Sequence, residues 1–120
     1  MTKARLYRGR RDDNENWVEG YYLHLGDTGT GELHIIVDSH GEYHRIKVET
    51  LGECTEYLDT IGRLIFTGDI VAICNYPGSL QGIVEFDRGL YKIKTDSRDL
   101  ALVGAECEII RNSHEDKGDV

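Results

Sequence analysis

Apolar and polar side chains alternate most strictly between Tyr43 and Glu49. His44, Ile46 and Val48 fall on one side of that segment and Tyr43, Arg45 and Lys47 on the other. This period of two is the mark of a half-buried strand. Shorter apolar runs predict further strands at 18–25, 33–38, 51–57, 63–66, 70–74, 83–86, 90–94 and 106–110. Turn residues separate them: Gly26 to Gly31, Asp38 to Gly41, Asp59 to Gly62, Gly68-Asp69, Asn75 to Gly78, and Asp87-Arg88-Gly89, read as a three-residue hairpin loop. Residues 96–100 read equally as a single helical turn or a loop.

Many short strands at regular spacing predict a mainly β fold, a small barrel or sandwich of short antiparallel strands with little helix. The runs GDIVAI, GIVEF and GLYKI look like the meander of a small SH3-like barrel in the C-terminal half. One compact domain is expected over 1–112, with a division into lobes 1–50 and 51–112 left open. A frayed polar tail is expected over 113–120.

Composition strengthens the β reading. The 120 residues include eleven Ile, seven Val, seven Tyr and eight Thr against four Ala. Branched and aromatic side chains pack well on a pleated surface and lose rotamer freedom in helices. A chain of this length buries enough surface to fold without a metal or a disulfide. Cys54, Cys74 and Cys107 form no short-spaced pair, and the chain opens without a secretory signal, so a reducing cytoplasm is expected. No apolar run approaches the roughly 20 residues that span a bilayer.

The net charge of −8 repels phosphate backbones, yet five of the fourteen basic residues, Lys3, Arg5, Arg8, Arg10 and Arg11, fall in the first eleven positions. Two readings arise. One is an exposed basic strand offset by acidic surface elsewhere. The other is a contact arm for nucleic acid or an acidic partner, with Trp17 beside it as a stacking platform for bases.

No reactive constellation in the sequence is complete. Asp12, Asn14 and Asn16 open like a calcium loop, but Trp17 stands where Gly is required and Leu23 where a bidentate Glu should close the site. His40, Glu42 and His44 suggest a metal clasp, but His40 falls in a turn and no Cys lies at zinc spacing. The glycines at 26–31 lack the Gly-Lys-Ser/Thr ending and the helix that a phosphate loop needs. Ser79 is outside a nucleophile elbow. The three cysteines sit among apolar strand residues, where core packing is the expectation. No cofactor, metal ligand set or catalytic residue is expected, and the chain is read as no enzyme.

Residues spread over nearly the whole chain resemble the YopX family of phage and prophage proteins. Arg8-Gly9-Arg10, Trp17-Val18-Glu19-Gly20 and the closing Glu108 to Asn112 are similar to that family's pattern. Within the central block Thr50, Gly52, Thr55, Asp59, Gly62, Ile65, Phe66, Gly68, Asp69, Ile70 and Val71 match in register. Glu56, Thr67 and Arg111 replace Gly, Glu and Gly of the pattern, and Ile61 replaces its Asn. The resemblance implies a β-rich fold, a cytoplasmic setting in a bacterial host or phage-infected cell, and no enzymatic activity. It carries over no catalytic residue. Trp17, Gly20, Thr55, Asp59, Gly62, Gly68, Asp69 and Asn112 read as structural. The expected function is a non-enzymatic binding or assembly module, a homo-oligomer or the companion of an unidentified protein. The alternative is a nucleic-acid accessory factor using the basic segment.

Overall fold

Asp69, Val71 and Ile73 are buried while Ile70 and Ala72 between them are only half-buried, so the alternation in the sequence becomes a strand with an inner and an outer side. A computed structural model describes residues 5–26, 29, 31–74 and 80–114. The chain divides into two compact units, Met1–Cys54 and Thr55–Val120. Among the described residues it is mainly β, with eleven strands and one turn of 3-10 helix at Val48–Thr50.

The strands of the first unit are β1 (Tyr7–Arg10), β2 (Trp17–Leu25), β3 (Leu33–Val37), β4 (Tyr43–Arg45) and the start of β5 (Gly52–Leu58). They are antiparallel, in the order β4-β3-β2-β1 with β5 beyond β1. Just past β1 and β4 the two segments come together. Arg11 bridges Ile46, and the Lys47 N–H donates to Arg10 O at 2.9 Å. The sheet is therefore curled, with Ile36 and Ile46 buried on its inner side. Two glycines permit the curl. A Cβ on Gly9 would stand 2.9 Å from Ile46 Cδ1, and one on Gly20 would stand 2.0 Å from the Val37 carbonyl oxygen.

The alternation at 43–49 does not persist as one strand. Thr50 Oγ1 accepts the Arg10 N–H at 2.9 Å, and the Thr50 and Leu51 N–H groups return to Lys47 O and Val48 O. These bonds turn the chain after Ile46 and leave Val48 exposed.

The second unit holds the rest of β5, then β6 (Leu64–Phe66), β7 (Asp69–Ile73), β8 (Leu80–Asp87), β9 (Leu90–Lys94), β10 (Asp99–Ala101) and β11 (Cys107–Asn112). One sheet runs β10-β9-β8-β7-β11, an antiparallel meander with β11 returned beside β7. No closed barrel forms among the described residues. Ile65, Val71, Ile73, Val84, Ile93, Leu102 and Cys107 make its core.

Three expectations need correcting here. Residues 99–101 form a strand, because their backbone pairs with Lys94, Ile93 and Lys92. The β8–β9 connection is a two-residue turn with Arg88 at φ 53° and Gly89 at φ 85°, the twist that suits a tight hairpin. Cys74 falls just after β7 and is exposed, while Cys54 and Cys107 are buried. The expected turn at 75–78 and the tail from 115 lie outside the described residues.

Candidate functional site

Of the residues read as structural, Asp59, Gly62, Gly68, Asp69 and Asn112 lie at turns or close them, whereas Trp17 and Gly20 lie in β2 and Thr55 in β5. Asp59, buried, accepts the N–H groups of Ile61, Arg63 and Ile109 and the Arg63 Nε. Burial pushes its carboxyl up, but the N–H groups of Arg63 and Ile109 outweigh that and hold it below the usual carboxylate range. Gly62 (φ 87°) closes that turn. Thr55 Oγ1 donates to Ile65 O at 2.8 Å. Asp69 accepts the Phe66 N–H through Oδ2 and the Asn112 side-chain amide through Oδ1. That pair closes the Gly68 turn (φ 94°), where a Cβ would crowd Asn112 Nδ2 at 3.3 Å.

The basic segment is tied down by carboxylates and by Trp17. Arg8 and Arg10 place their guanidinium carbons 5.0 and 5.7 Å from the half-buried Trp17 ring centroid. Arg10 is buried and bound to Glu15, Arg11 chelates Asp13, and Arg5 pairs with Glu53. Lys3 lies outside the described residues. Of the six candidate interaction residues, Arg8, Arg10 and Trp17 are thus brought together as a packed stack. The Asp12-to-Asn16 stretch is the β1–β2 hairpin loop, with Asn14 Oδ1 accepting the Asn16 N–H at 2.9 Å.

What the first unit leaves open is the outer side of β2, β3 and β4. Directly opposed residues share a side of a sheet. Tyr21, Leu23 and Leu25 oppose Val37, Ile35 and Leu33, and Val37 in turn opposes Tyr43. Tyr21 is 55% exposed, Leu23 40%, Leu25 43% and Tyr43 68%, while Ile35 between them is buried. This contiguous apolar surface was not foreseen, since an alternating or all-apolar strand does not declare which side is covered.

The other side of the same strands carries two groups of side chains with the chemistry of metal ligands, one of which includes the exposed His24 and Glu32. At the β3–β4 turn, Asp38 Oδ2 meets His44 Nε2 at 2.7 Å, and Oδ1 accepts the N–H groups of His40 and Glu42. The His44 hydrogen bond and those backbone groups draw the Asp38 carboxyl down to about 2. The clasp imagined between His40 and His44 is therefore an Asp38–His44 pair with both carboxylate oxygens already engaged.

The second group lies toward the far end of β2 and β3. His24 and His34 are directly opposed and stack at 4.5 Å between centroids, 12° from parallel. Glu32 Oε1 stands 3.2 Å from His24 Nε2, and Tyr22 Oη stands 2.6 Å from His34 Nδ1. Burial above all, then the nearby Glu32 and Tyr7, pushes the Tyr22 phenol up and keeps it protonated. Sequence reasoning missed this group. Its members come together only through the β2–β3 register, and the Gly26-to-Gly31 connection does not fix that register.

Compared with protein families, curated proteins and solved structures, the chain matches none of them.

Proposed function

We propose that this protein is a non-enzymatic binding or assembly module that associates with a second copy of itself through the outer side of β2, β3 and β4. The observation that carries the reading is the exposure of Tyr21, Leu23, Leu25 and Tyr43 on one contiguous surface. Large apolar patches on a folded surface favour contact with another surface. A two-fold contact lets one stripe cover its own copy, so no second specialised surface is required. Exposed Glu19 and Arg45 on the same side supply a polar rim.

The non-enzymatic reading is supported by how the reactive groups are used. Asp59 and Asp69 spend their oxygens on backbone and amide donors, and burial pushes the Cys107 thiol up to about 11. The likeness to YopX proteins favours a phage or prophage role in a bacterial cytoplasm. The nucleic-acid alternative draws less support, because Arg5, Arg10 and Arg11 already face carboxylates.

Light scattering across a concentration series tests the reading. Wild type is expected to dimerise, and Leu23→Arg or Tyr43→Arg to shift the protein to monomer without loss of folding. A wild type that stays monomeric at the highest attainable concentration overturns it. Salt-sensitive retention of DNA or RNA by that monomer would favour the alternative.

A further inference from the structure

We propose that His24, Glu32 and His34 form a binding site for a divalent first-row transition ion of the zinc class, with Tyr22 orienting His34. The inference is independent of self-association, because these side chains lie on the opposite side of β2 and β3 from Leu23 and Leu25.

The donor set suits such an ion. Two imidazoles and one carboxylate are a recurrent three-ligand set for zinc, with a water completing the tetrahedron. Each of the three residues offers a ligand atom, and these atoms all lie within 4.8 Å of one another. Bonds of about 2.0–2.2 Å at tetrahedral angles place donors about 3.4 Å apart. The His24–Glu32 pair already stands at 3.2 Å, and His34 must turn out of its stack on His24 for its ring nitrogen to aim at the same ion.

The surroundings distinguish this group from a casual surface ion pair. His24 and His34 are held on adjacent strands in direct register, so their spacing is set by backbone and not by long flexible stems. Tyr22 lies 1° from parallel with His34 and 11° with His24 and itself leans on Tyr7, so these rings stand together as one stack. A metal-bound histidine typically gives its second ring N–H to an oxygen acceptor, which sets its tautomer. Tyr22 Oη, 2.6 Å from His34 Nδ1, is placed to accept that N–H in the zinc-bound tautomer, which would leave Nε2 for the ion. The Asp38–Glu42–His44 group has similar donors, but both Asp38 oxygens are occupied, by His44 and by two backbone N–H groups.

Cobalt(II) and zinc(II) titrations of the full chain test the site. One equivalent of cobalt is expected to give visible ligand-field absorption, displaced by zinc. His24→Gln and His34→Gln should each abolish that absorption, Tyr22→Phe should weaken zinc binding about 10-fold, and His44→Gln should leave it unchanged. Nitrogen-15 spectra of zinc-loaded wild type should show His34 as the Nδ1–H tautomer, a readout that needs no variant to fold. Absence of stoichiometric binding, binding that survives both His24→Gln and His34→Gln, or binding lost in His44→Gln overturns the proposal.

Discussion

Asp59 accepts the backbone N–H of Ile109 at 3.1 Å, a hydrogen bond that joins residues fifty positions apart. The same carboxylate orders its own turn through Ile61 and Arg63, and the Thr60 N–H donates to Cys107 O at 2.9 Å. One buried side chain thus fixes both the β5–β6 turn and its seat on β11.

Asp59→Asn puts an amide donor against N–H donors. A loss of about 1–3 kcal/mol is expected, the range for leaving buried polar groups unsatisfied. Urea unfolding should show a lower midpoint with an unchanged slope.

Acid should destabilise the fold through Asp38 and Asp59. Both carboxyls lie below the ordinary aspartate value of 3.8, Asp38 at about 2. A carboxyl depressed on folding stabilises above its unfolded pKa, and that contribution fades as pH falls through the folded value. Unfolding free energy should therefore drop between about pH 4 and pH 2. Asp38→Asn should flatten part of that slope, and an unaltered slope in the variant would contradict the assignment.

Glu56 has φ 67°, a left-handed conformation that costs a side-chain-bearing residue about 1–2 kcal/mol. Allowing for glycine's greater unfolded freedom, Glu56→Gly is expected to stabilise by about 0.5–1 kcal/mol. A lower melting temperature would show that Glu56's side-chain contacts outweigh the strain.

Gly20→Ala is expected to be severe, because the new Cβ would meet the Val37 carbonyl oxygen at 2.0 Å. Relieving that overlap requires β2 and β3 to separate. Loss of the β2–β3 amide pattern in two-dimensional NMR is the outcome to look for.

Thiol chemistry should separate the cysteines. Cys74 is exposed, while Cys54 and Cys107 are buried. Ellman's reagent should titrate one thiol rapidly in native protein and the others only in denaturant. Rapid reaction of Cys107 would contradict both its burial and its raised pKa.

The sequence announced strands where side chains alone decide them. Leu90–Lys94 was legible in full, and His44 and Ile46 were rightly set opposite Tyr43 and Arg45. It was silent where a distant backbone decides. The chain turns at Thr50 because of Arg10, forty residues earlier, and no local pattern reports that bond. Residues 99–101 lack apolar alternation and are strand only through pairing with β9. The His24–Glu32–His34 group was hidden for a similar reason, since pairing across a glycine-rich connection fixes which residues meet.

The border between the two units falls inside β5, between Cys54 and Thr55, and not in a connecting loop. Anyone wishing to produce either half by itself should avoid cutting there. A break at that peptide bond would divide one hydrogen-bonded segment into two stubs, and fragments ending before Gly52 or beginning after Leu58 would each lack residues that the other half keeps.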